Sequence, residues 1–549
     1  MQIEPSLPIS QPSGEDGSRV LLAQILAYHE RTKHRLDRYA AGPETLDWDA
    51  QPNPFREFFG TKRIRLPLIA DTLTASFDAL HEEGAIAPQP FTLDNVAAMM
   101  ELSFGLSAWK QYGPDLWAVR CNPSSGNLHP TEAYVICNQI EGLEDGVYHY
   151  ISRDHVLEQR GRFSASQTDV PRLLVGISSI IWREAWKYGE RAFRYALLDT
   201  GHAIGALSYA AAALGWSLNI RDDCNHQLLE QSLGLDRDND FKDAEREEAE
   251  LLVEITTGQA ALPFEAGQTQ WYGQANTLDA HPMYDWPVIE EVTMASRQSS
   301  SSPKVTRAIN AYPERGCTHN ARAATLIRQR RSAQRFDAGF TQDAASFYRM
   351  LDALLPRSVT PWDAWQESAR VHPVLFVHRV SGLAPGIYAL PRGAKMQMQA
   401  AMRDDFLWTK PTGCPDHLPL FLLAETDLSQ AARIMNCHQA IAKDCTFMLA
   451  MLAEFAGTLN EAQWNYRQLH WEAGLLGQVL YLEAEAANLR GTGIGCFFDD
   501  ALHELLGLQD KTFQSLYHFT VGYPLVDERI ASLPPYPSIM PMKPERKPA

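Results

Sequence analysis

The sequence lacks the features that mark several large classes of protein. No tract is rich in lysine and arginine, and the formal net charge at pH 7 is −18. Such an acidic chain is poorly suited to nucleic acid or to an anionic membrane surface. The longest apolar run, residues 195–216, is interrupted by Asp199 and His202 and does not read as a membrane span. The first residues have neither a basic nor an apolar segment, so we expect no signal peptide.

Cysteine is scarce and scattered. The eight cysteines include no Cys-x-x-Cys pair, and several lie in apolar runs, where a reduced and buried thiol is the usual state. No metal site is predicted, because neither Cys317 and His319 nor His372 and His378 have a matching second pair of ligands. The sequence also has no Gly-x-Ser-x-Gly elbow and no P-loop. We therefore expect a reduced, cytoplasmic protein.

Composition indicates an ordinary folded chain with more than one domain. Of the 549 residues, 45% are hydrophobic and 21% are charged, and this length allows two domains or more. The Ser-rich stretch at 297–303 is the clearest linker. The predicted organisation is a disordered N-terminus at 1–18, a first domain at 19–266, a linker at 267–318, a second domain at 319–530 and a Pro-rich tail at 531–549.

The two predicted domains resemble each other in sequence. Residues 141–148 (EGLEDGVY) align with 381–388 (SGLAPGIY), and residues 193–201 (FRYALLDTG) align with 466–474 (YRQLHWEAG). Two matches in the same order favour an internal duplication. A duplicated chain can fold as a fused dimer with a site between its halves.

A loop that leads into an apolar strand is the first candidate site. Pro123 and Gly126 interrupt regular structure, while Ser124, Ser125 and Asn127 supply hydroxyl and amide groups. A loop rich in such groups and in backbone N–H donors, next to a sheet, suits a phosphate or a planar heterocycle. An ordinary capped turn has the same composition, and both interpretations stay open at this point.

Two further stretches lie in the second half. Arg330, Arg331 and Arg335 surround Ser332, and guanidinium groups beside a hydroxyl suit a phosphate monoester, although a solvated basic helix face is the alternative. Residues 490–500 (RGTGIGCFFDD) are rich in glycine, which permits close approach of the backbone to a flat ligand or marks a helix end and a turn. Their spacing does not match a dinucleotide-binding fingerprint, and a helix precedes them where that fold needs a strand.

Together, these stretches resemble the nitroreductase-like flavin mononucleotide (FMN) superfamily, and most closely its SagB-type, or thiazole/oxazole-forming, dehydrogenase branch. The resemblance extends over nearly the whole chain as two tandem copies. It implies an α+β fold of two fused nitroreductase-like domains, each an antiparallel-rich sheet flanked by helices, which form an intrachain pseudo-dimer. It also implies an FMN between two protomers: one supplies an Arg-x-Ser-x-Arg/Lys phosphate clamp and a Gly-Ile-Gly loop, and the other a Pro-Ser-Ser loop.

The parts implied by the resemblance are divided between the two halves. The Pro-Ser-Ser loop is intact only in the first half, where Thr-Lys-His-Arg at 32–35 stands in place of a clamp. The clamp and the Gly-Ile-Gly loop are intact only in the second half, with Gln334 where the family has a cation. We therefore predict one composite FMN site per chain. The implied cofactor-binding residues are Arg120, Pro123, Ser124, Ser125, Gly126, Asn127, Arg330, Arg331, Ser332, Gln334, Gly493, Ile494 and Gly495.

A Lys-Tyr pair is the candidate for catalysis. Lys187 and Tyr188 match a pair that, in the azoline-oxidising branch, is taken to help deprotonate the substrate. A desolvated lysine near FMN could act as a general base, with the tyrosine as a hydrogen-bond donor. Amphipathic residues that cover the start of a helix would look the same. Asp199 and His202 share the following helix, and His202 is interpreted as a hydrogen-bonded core residue.

The predicted function is FMN-dependent oxidoreduction, with hydride transfer through flavin N5 and with azoline-to-azole oxidation of a peptide as one form. The alternatives are an NAD(P)H-dependent reductase of nitro, quinone or flavin acceptors, and a non-catalytic pseudoenzyme that binds a cofactor or a peptide. The expected partners are a small-molecule or peptide substrate and, for the reductase, NAD(P)H, without nucleic acid or membrane. The expected assembly is a monomeric pseudo-dimer or a dimer of it.

Overall fold

The computed structural model describes residues 15–165, 168, 170–258, 267–299, 312–315 and 320–537. The helices are α1 (Glu15–Arg31), α2 (Leu93–Ser103), α3 (Ile181–Tyr188), α4 (Ala192–Ala212), α5 (His226–Leu233), α6 (Pro287–Ala295), α7 (Ala323–Gln329), α8 (Ala344–Ala353), α9 (Lys395–Ala401), α10 (Ser429–Met435), α11 (Ile441–Asp444), α12 (Ala456–Glu461), α13 (Asn465–Ala486) and α14 (Asp499–Leu506). The strands are β1 (Phe58–Phe59), β2 (Lys62–Arg65), β3 (Leu106–Tyr112), β4 (Asp115–Arg120), β5 (Thr131–Asn138), β6 (Gly146–Ile151), β7 (Val156–Phe163), β8 (Arg172–Ser179), β9 (Ser217–Ile220), β10 (Glu248–Thr256), β11 (Thr269–Trp271), β12 (Gln274–Ala275), β13 (Val371–Val377), β14 (Gly386–Ala389), β15 (Phe421–Glu425), β16 (Phe447–Glu454), β17 (Arg490–Ile494), β18 (Phe513–Gly522) and β19 (Ala531–Leu533).

Each half of the chain is built around one antiparallel sheet. The first sheet has the order β11-β7-β6-β5-β8-β10-β9, and the second has the order β15-β14-β13-β16-β18-β17. From β7 and from β15 onward, the two orders correspond strand by strand. Their central strands are buried along their whole length because helices cover the sheets. The predicted α+β fold of two fused domains is confirmed.

The repeat is strictly regular in its second part. Helix α4, strand β9 and helix α5 begin at residues 192, 217 and 226, and α13, β17 and α14 begin at 465, 490 and 499, so each element recurs 273 residues later. Both α5 and α14 end at a glycine with positive φ, Gly234 and Gly507, which is the usual left-handed end of a helix. The repeat therefore includes the details of helix termination.

The two halves meet where helices α4 and α13 cross. A Cβ atom on Gly201 would lie 2.2 Å from the carbonyl oxygen of Trp471, and one on Gly474 would lie 2.1 Å from that of Leu198. Residues 198 and 201 correspond to 471 and 474 in the repeat, so the contact is reciprocal, as at a two-fold axis between identical subunits. Only glycine allows the two backbones to approach this closely.

Helix α4 contains the apolar run noted in the sequence. All of its residues are buried, between its own sheet, α2 and the partner helix α13. Its apolar character therefore reflects a helix enclosed by protein on every side. No helix in the described part of the chain is both long enough and apolar enough to cross a membrane.

The predicted linker and tail contain ordered elements in their described parts. In the linker, β11 pairs with β7, β12 pairs with β1, and α6 packs against α1. In the tail, β19 pairs with β3, and the buried Tyr536 donates a hydrogen bond to the carbonyl oxygen of Ser152 at 2.9 Å. These are long-range pairings that composition does not show. Helix α1 begins inside the predicted disordered segment, of which residues 1–14 lie outside the described residues, as do 300–311 and 538–549.

Candidate active site between the two domains

A cavity of about 540 Å³ lies beside the crossing of α4 and α13, with walls from both domains. The first domain contributes the end of β4, the loop at 120–129 and one face of α4. The second domain contributes the segment after α7, one face of α13 and strand β17. All of the residues predicted to bind the cofactor line this cavity, and so does Tyr188. The tertiary structure thus brings together motifs that lie more than 350 residues apart in sequence.

The loop of the first domain is held in an unusual conformation. Gly126 and Asn127 have φ values of 58° and 60°, in the left-handed region that glycine and asparagine tolerate best. Ser125 donates two hydrogen bonds to the carboxylate of Asp199, from its N–H at 3.0 Å and from its hydroxyl at 2.9 Å. Ser124 accepts the N–H of His129 at 2.7 Å. These hydrogen bonds therefore fix the loop to helix α4.

The predicted catalytic pair lies directly against this loop. A Cβ atom on Gly126 would lie 2.4 Å from the hydroxyl of Tyr188 and 3.2 Å from Nζ of Lys187. Tyr188 belongs to the cavity lining, whereas Lys187 lies beside the loop with its Nζ over the ring of Trp48, 5.5 Å from the ring centroid. Burial lowers the pKa of Lys187 and raises the pKa of Tyr188. Both shifts favour the neutral forms of the two side chains.

Arg330 joins the two domains at the wall of the cavity. Its buried guanidinium donates to the carbonyl oxygens of Cys121 and Arg120 at 3.2 and 3.1 Å and lies over the ring of Tyr481. Its Nη1 is buried and has no hydrogen-bond partner among the described residues. The hydroxyl of Ser332 lies 2.8 Å from that of Tyr481. A buried guanidinium with an unused donor is costly unless a ligand accepts from it.

The other two predicted arginines mainly hold the backbone. Arg120 donates to two main-chain carbonyl oxygens, at 3.0 and 2.6 Å. Arg331 donates to three, at distances between 2.6 and 2.9 Å. Burial lowers the pKa of each to about 10. The hydrogen bonds of Arg120 and Arg331 hold the backbone that forms the cavity wall. The family resemblance by itself does not distinguish this structural role from ligand binding.

Two further cations line the cavity and were missed in the sequence. Lys110, from β3, is half-buried, and its pKa is lowered by burial and by the positive charges of Arg331 and Arg490. Arg490 begins β17 and has one acidic neighbour, Glu485, at 3.4 Å. Arg490 directly precedes the glycine-rich stretch and could have been noticed there, whereas no local signal marks Lys110. Cationic side chains therefore outnumber carboxylates in the lining of the cavity, where the acidic residues are Asp199 and Asp527.

The glycines of β17 make room for tyrosine rings. A Cβ atom on Gly493 would lie 1.7 Å from the hydroxyl oxygen of Tyr517, and one on Gly495 would lie 2.3 Å from the ring of Tyr195. Tyr195, Tyr517 and Tyr481 all line the cavity. The strand can run flat against these rings only because it has no side chains there. The sequence suggested either close approach of a flat ligand or a helix end and turn, whereas the groups that lie against these glycines in the structure are tyrosine side chains.

Comparison with known proteins agrees with this architecture. The sequence model of the nitroreductase family matches residues 115–242 and again 388–523. One region in each half of the chain therefore matches the nitroreductase family. A provisionally named nitroreductase of Methanocaldococcus jannaschii is 26% identical over 137 residues, which cover 23% of this chain and 66%, just under two thirds, of that protein. The crystal structure of a provisionally named nitroreductase from Anabaena variabilis matches with a TM-score of 0.66 at 20% identity, covering 91% of this chain and 99% of that chain. This likeness shows a shared fold.

The first domain also contains two neighbouring buried carboxyl groups, of which Asp199 lines the cavity and Glu184 does not. Burial raises the pKa of Asp199 to about 7, against the lowering effect of its hydrogen bonds from Ser124 and Ser125. Burial, and the neighbouring charge of Asp199, raise the pKa of Glu184 well above its usual range. Asp199 can therefore take up or release a proton near neutral pH at the cavity wall. His202, interpreted as a core residue, is buried and also lines the cavity, with its Nε2 3.0 Å from the hydroxyl of Tyr517.

The position related to this cavity by the repeat is filled. Residues 220–222, which correspond to Gly493–Gly495, read Ile-Arg-Asp and border a cavity of only about 60 Å³. Three tryptophans, Trp365, Trp464 and Trp471, occupy its walls. Arg467 crosses the same region and is held by Glu248 at 2.6 Å. A neighbouring cavity that shares Trp365 and Trp464 has about 150 Å³, so the space on this side of the pseudo-two-fold axis is much smaller than the cavity of about 540 Å³ on the other side.

Proposed function

We propose that the chain is an FMN-dependent oxidoreductase with one flavin site, in the cavity between its two nitroreductase-family domains. The observation that carries the proposal is the combination in one cavity of an excess of cations over carboxylates and a set of tyrosine rings. Cations fit the phosphate of a mononucleotide, and aromatic walls fit a flat ring system. The unused donor of Arg330 is a further feature that an anionic ligand would satisfy.

The residues present fit FMN in two groups. Arg330, Ser332, Lys110 and Arg490 would hold the phosphate through charge-assisted hydrogen bonds. The loop at 123–127, strand β17 and the tyrosines that line the cavity would hold the ring system. A bound flavin supplies two-electron chemistry by accepting or donating a hydride at N5. The protein's own task is to orient the substrate, to exclude water and to move protons.

Lys187 and Tyr188 support dehydrogenation of a substrate such as a peptidyl azoline, as in the SagB-type branch. The lowered pKa of Lys187 increases the fraction of neutral amine, which can act as a base beside the loop. Tyr188 lies in the cavity wall and can donate a hydrogen bond to the substrate. Reduction of a nitro group or a quinone needs no such base, so the two activities depend differently on this pair.

Replacement of Tyr188 by phenylalanine tests this assignment. We expect the Tyr188→Phe variant to lose dehydrogenation of an azoline peptide by roughly 10²–10⁴-fold, because removal of a group that assists proton transfer typically costs this much. The flavin content and the rate of nitroreduction should stay within about twofold of the wild type, since the ring of Tyr188 remains and only its hydroxyl is lost. Both rates are measured on the same flavin-loaded preparation. Equal losses in the two reactions would contradict a proton-transfer role.

The stoichiometry of the cofactor tests the proposal as a whole. We expect the purified protein to show flavin absorption bands, and we expect heat to release about one FMN per chain, identified by mass spectrometry. One FMN follows from the size of the cavity between the domains and from the much smaller space at the related position across the axis. Two FMN per chain would contradict the filled second position. A colourless protein that cannot be reconstituted with FMN would favour a binding protein without redox activity.

A further inference from the structure

Two cysteines meet at the edge of the cavity, although 59 residues separate them in sequence. The sulfur of Cys496, directly after Gly495, lies 2.6 Å from the sulfur of Cys437. Cys496 lines the cavity, and both cysteines are partly exposed, whereas the other cysteines in the described part of the chain are buried. A disulfide bond is about 2.05 Å long, so the two sulfurs need to move little to form one. A Cys-x-x-Cys pattern does not reveal this pair, because the two cysteines are distant in sequence.

An insertion in the second domain brings Cys437 to this place. Between β15 and β16 the chain forms α10 and α11 over residues 426–446, whereas the corresponding connection in the first domain, residues 164–171, is short. Cys437 and His438 follow α10 with φ values of 51° and 61°, which reverse the chain toward the cavity. Gln439 then donates to the carbonyl oxygen of Cys496 at 3.1 Å. In the repeat, Cys496 corresponds to Asp223, so the first domain has neither partner of the pair.

The surroundings of the pair favour a reactive thiolate on Cys496. His34 accepts the N–H of Ala40 at its Nδ1, at 3.0 Å, so in neutral His34 the ring proton lies on Nε2 and is available to the sulfur. The hydrogen bond from Cys437 lowers the pKa of Cys496, and His34 and Arg191 lower it further. The same interaction raises the pKa of Cys437. One sulfur is thus prepared as a nucleophile and the other as its protonated partner, as in dithiol redox sites.

We propose that Cys437 and Cys496 are a redox-active dithiol–disulfide couple that exchanges an electron pair with the flavin in the cavity. This inference rests on the proposed FMN site. When the couple closes, the S–H bond of Cys437 would break, an S–S bond would form with the thiolate of Cys496, and two electrons and one proton would be released. Oxidised flavin would take up both electrons and the proton. In the reverse direction reduced flavin would return the electron pair and the proton, and the S–S bond would break to one thiol and one thiolate.

Such a couple lets the protein store an electron pair as a dithiol next to the cavity, in addition to the electron pair that the flavin can hold. The flavin can then be reoxidised before an external acceptor arrives, because the electrons are held as two thiols. Cys437 and Cys496 are within direct reach of each other, so no large movement of the chain is needed. Of the two cysteines, only Cys496 affects the pKa of His34, so His34 is a positioning residue for Cys496 in this scheme.

The first test is whether the couple closes in the full-length protein. After mild oxidation with diamide, we expect two fewer alkylatable thiols per chain and a cross-linked peptide that joins Cys437 to Cys496. The Cys437→Ser variant should form no such cross-link. Cys414→Ser, which alters a buried cysteine away from the pair, should close like the wild type. If Cys437 and Cys496 both remain alkylatable after oxidation of the wild type, the proposal is overturned.

The second test is electron exchange with the flavin in the absence of oxygen. The disulfide form is given one equivalent of dithionite per flavin, and flavin absorbance and free thiols are followed together. We expect bleaching, then recovery of the absorbance as two thiols per chain appear, and we expect lasting bleaching in Cys437→Ser. A wild type that stays bleached with its disulfide intact would overturn the inference while leaving the FMN site in place. A protein that binds no FMN in either cysteine state would instead overturn the proposed function, and the electron exchange with it.

Discussion

Methionine in place of both Lys110 and Arg490 is expected to weaken FMN binding by a hundredfold or more while leaving riboflavin binding within about twofold. Each side chain would donate a hydrogen bond to the phosphate, and bonds to charged groups contribute about 1.5–3 kcal/mol each. A difference of about 1.4 kcal/mol is tenfold in affinity, so two such losses multiply to roughly a hundredfold or more. Riboflavin has the same ring system without the phosphate. Fluorescence titration of the apoprotein with each flavin measures both affinities.

The matched control is a cation away from the cavity. Arg403 is exposed and pairs with Asp405, so Arg403→Met should change neither affinity. Equal losses for FMN and riboflavin in the double variant would indicate damage to the ring pocket or to the fold. An unchanged affinity for FMN would show that the cation cluster does not hold a phosphate. The double variant of Lys110 and Arg490 should leave the free energy of unfolding of the apoprotein unchanged or raised, because it relieves repulsion between neighbouring cations.

A side chain at the crossing of α4 and α13 is expected to cause the largest loss of stability. Gly201→Ala should lower the free energy of unfolding by about 1–3 kcal/mol, and Gly201→Leu by more, because the new Cβ meets the main-chain oxygen of Trp471 at 2.2 Å. Backbone at a buried helix crossing cannot move aside as a flexible side chain can. Urea unfolding followed by circular dichroism measures the change. Gly474→Ala should behave alike, since the repeat makes the two contacts equivalent.

The sign of the stability change in Gly201→Ala distinguishes the close contact between α4 and α13 from ordinary helix propensity. In an exposed helix, alanine is more favourable than glycine by about 1 kcal/mol. Gly457 lies in helix α12, and a Cβ atom on it would meet no other atom of the described residues within 4 Å. Gly457→Ala is therefore the matched control and should be neutral or slightly stabilising. Stabilisation by Gly201→Ala as well would contradict the close approach of the two helices.

Local motifs were readable from the sequence because local backbone geometry selects their residues. Gly126 and Asn127 have left-handed backbone conformations that few other residues adopt. Gly493 and Gly495 leave space for tyrosine rings, which a larger residue would not. All of the motif residues assigned to the cofactor line one cavity, and their binding of FMN is the proposal made above. The linker was less readable, because β11 and β12 are short edge strands whose partners lie far away in sequence.

The sequence by itself determined the duplication, the two-domain α+β fold and the division of the motifs between the halves. Each of these follows from patterns within a few residues or from a comparison of the chain with itself. The tertiary structure decided which side chains share the cavity: Lys110 beside Arg490, Asp199 under Ser125, and Cys437 against Cys496. It also decided that tryptophans fill the position across the axis. The physical reason is that strand pairing and the crossing of α4 with α13 bring together residues that are distant in sequence. Burial then shifts the pKa values of these residues. Long-range contacts and burial leave no local pattern in the sequence.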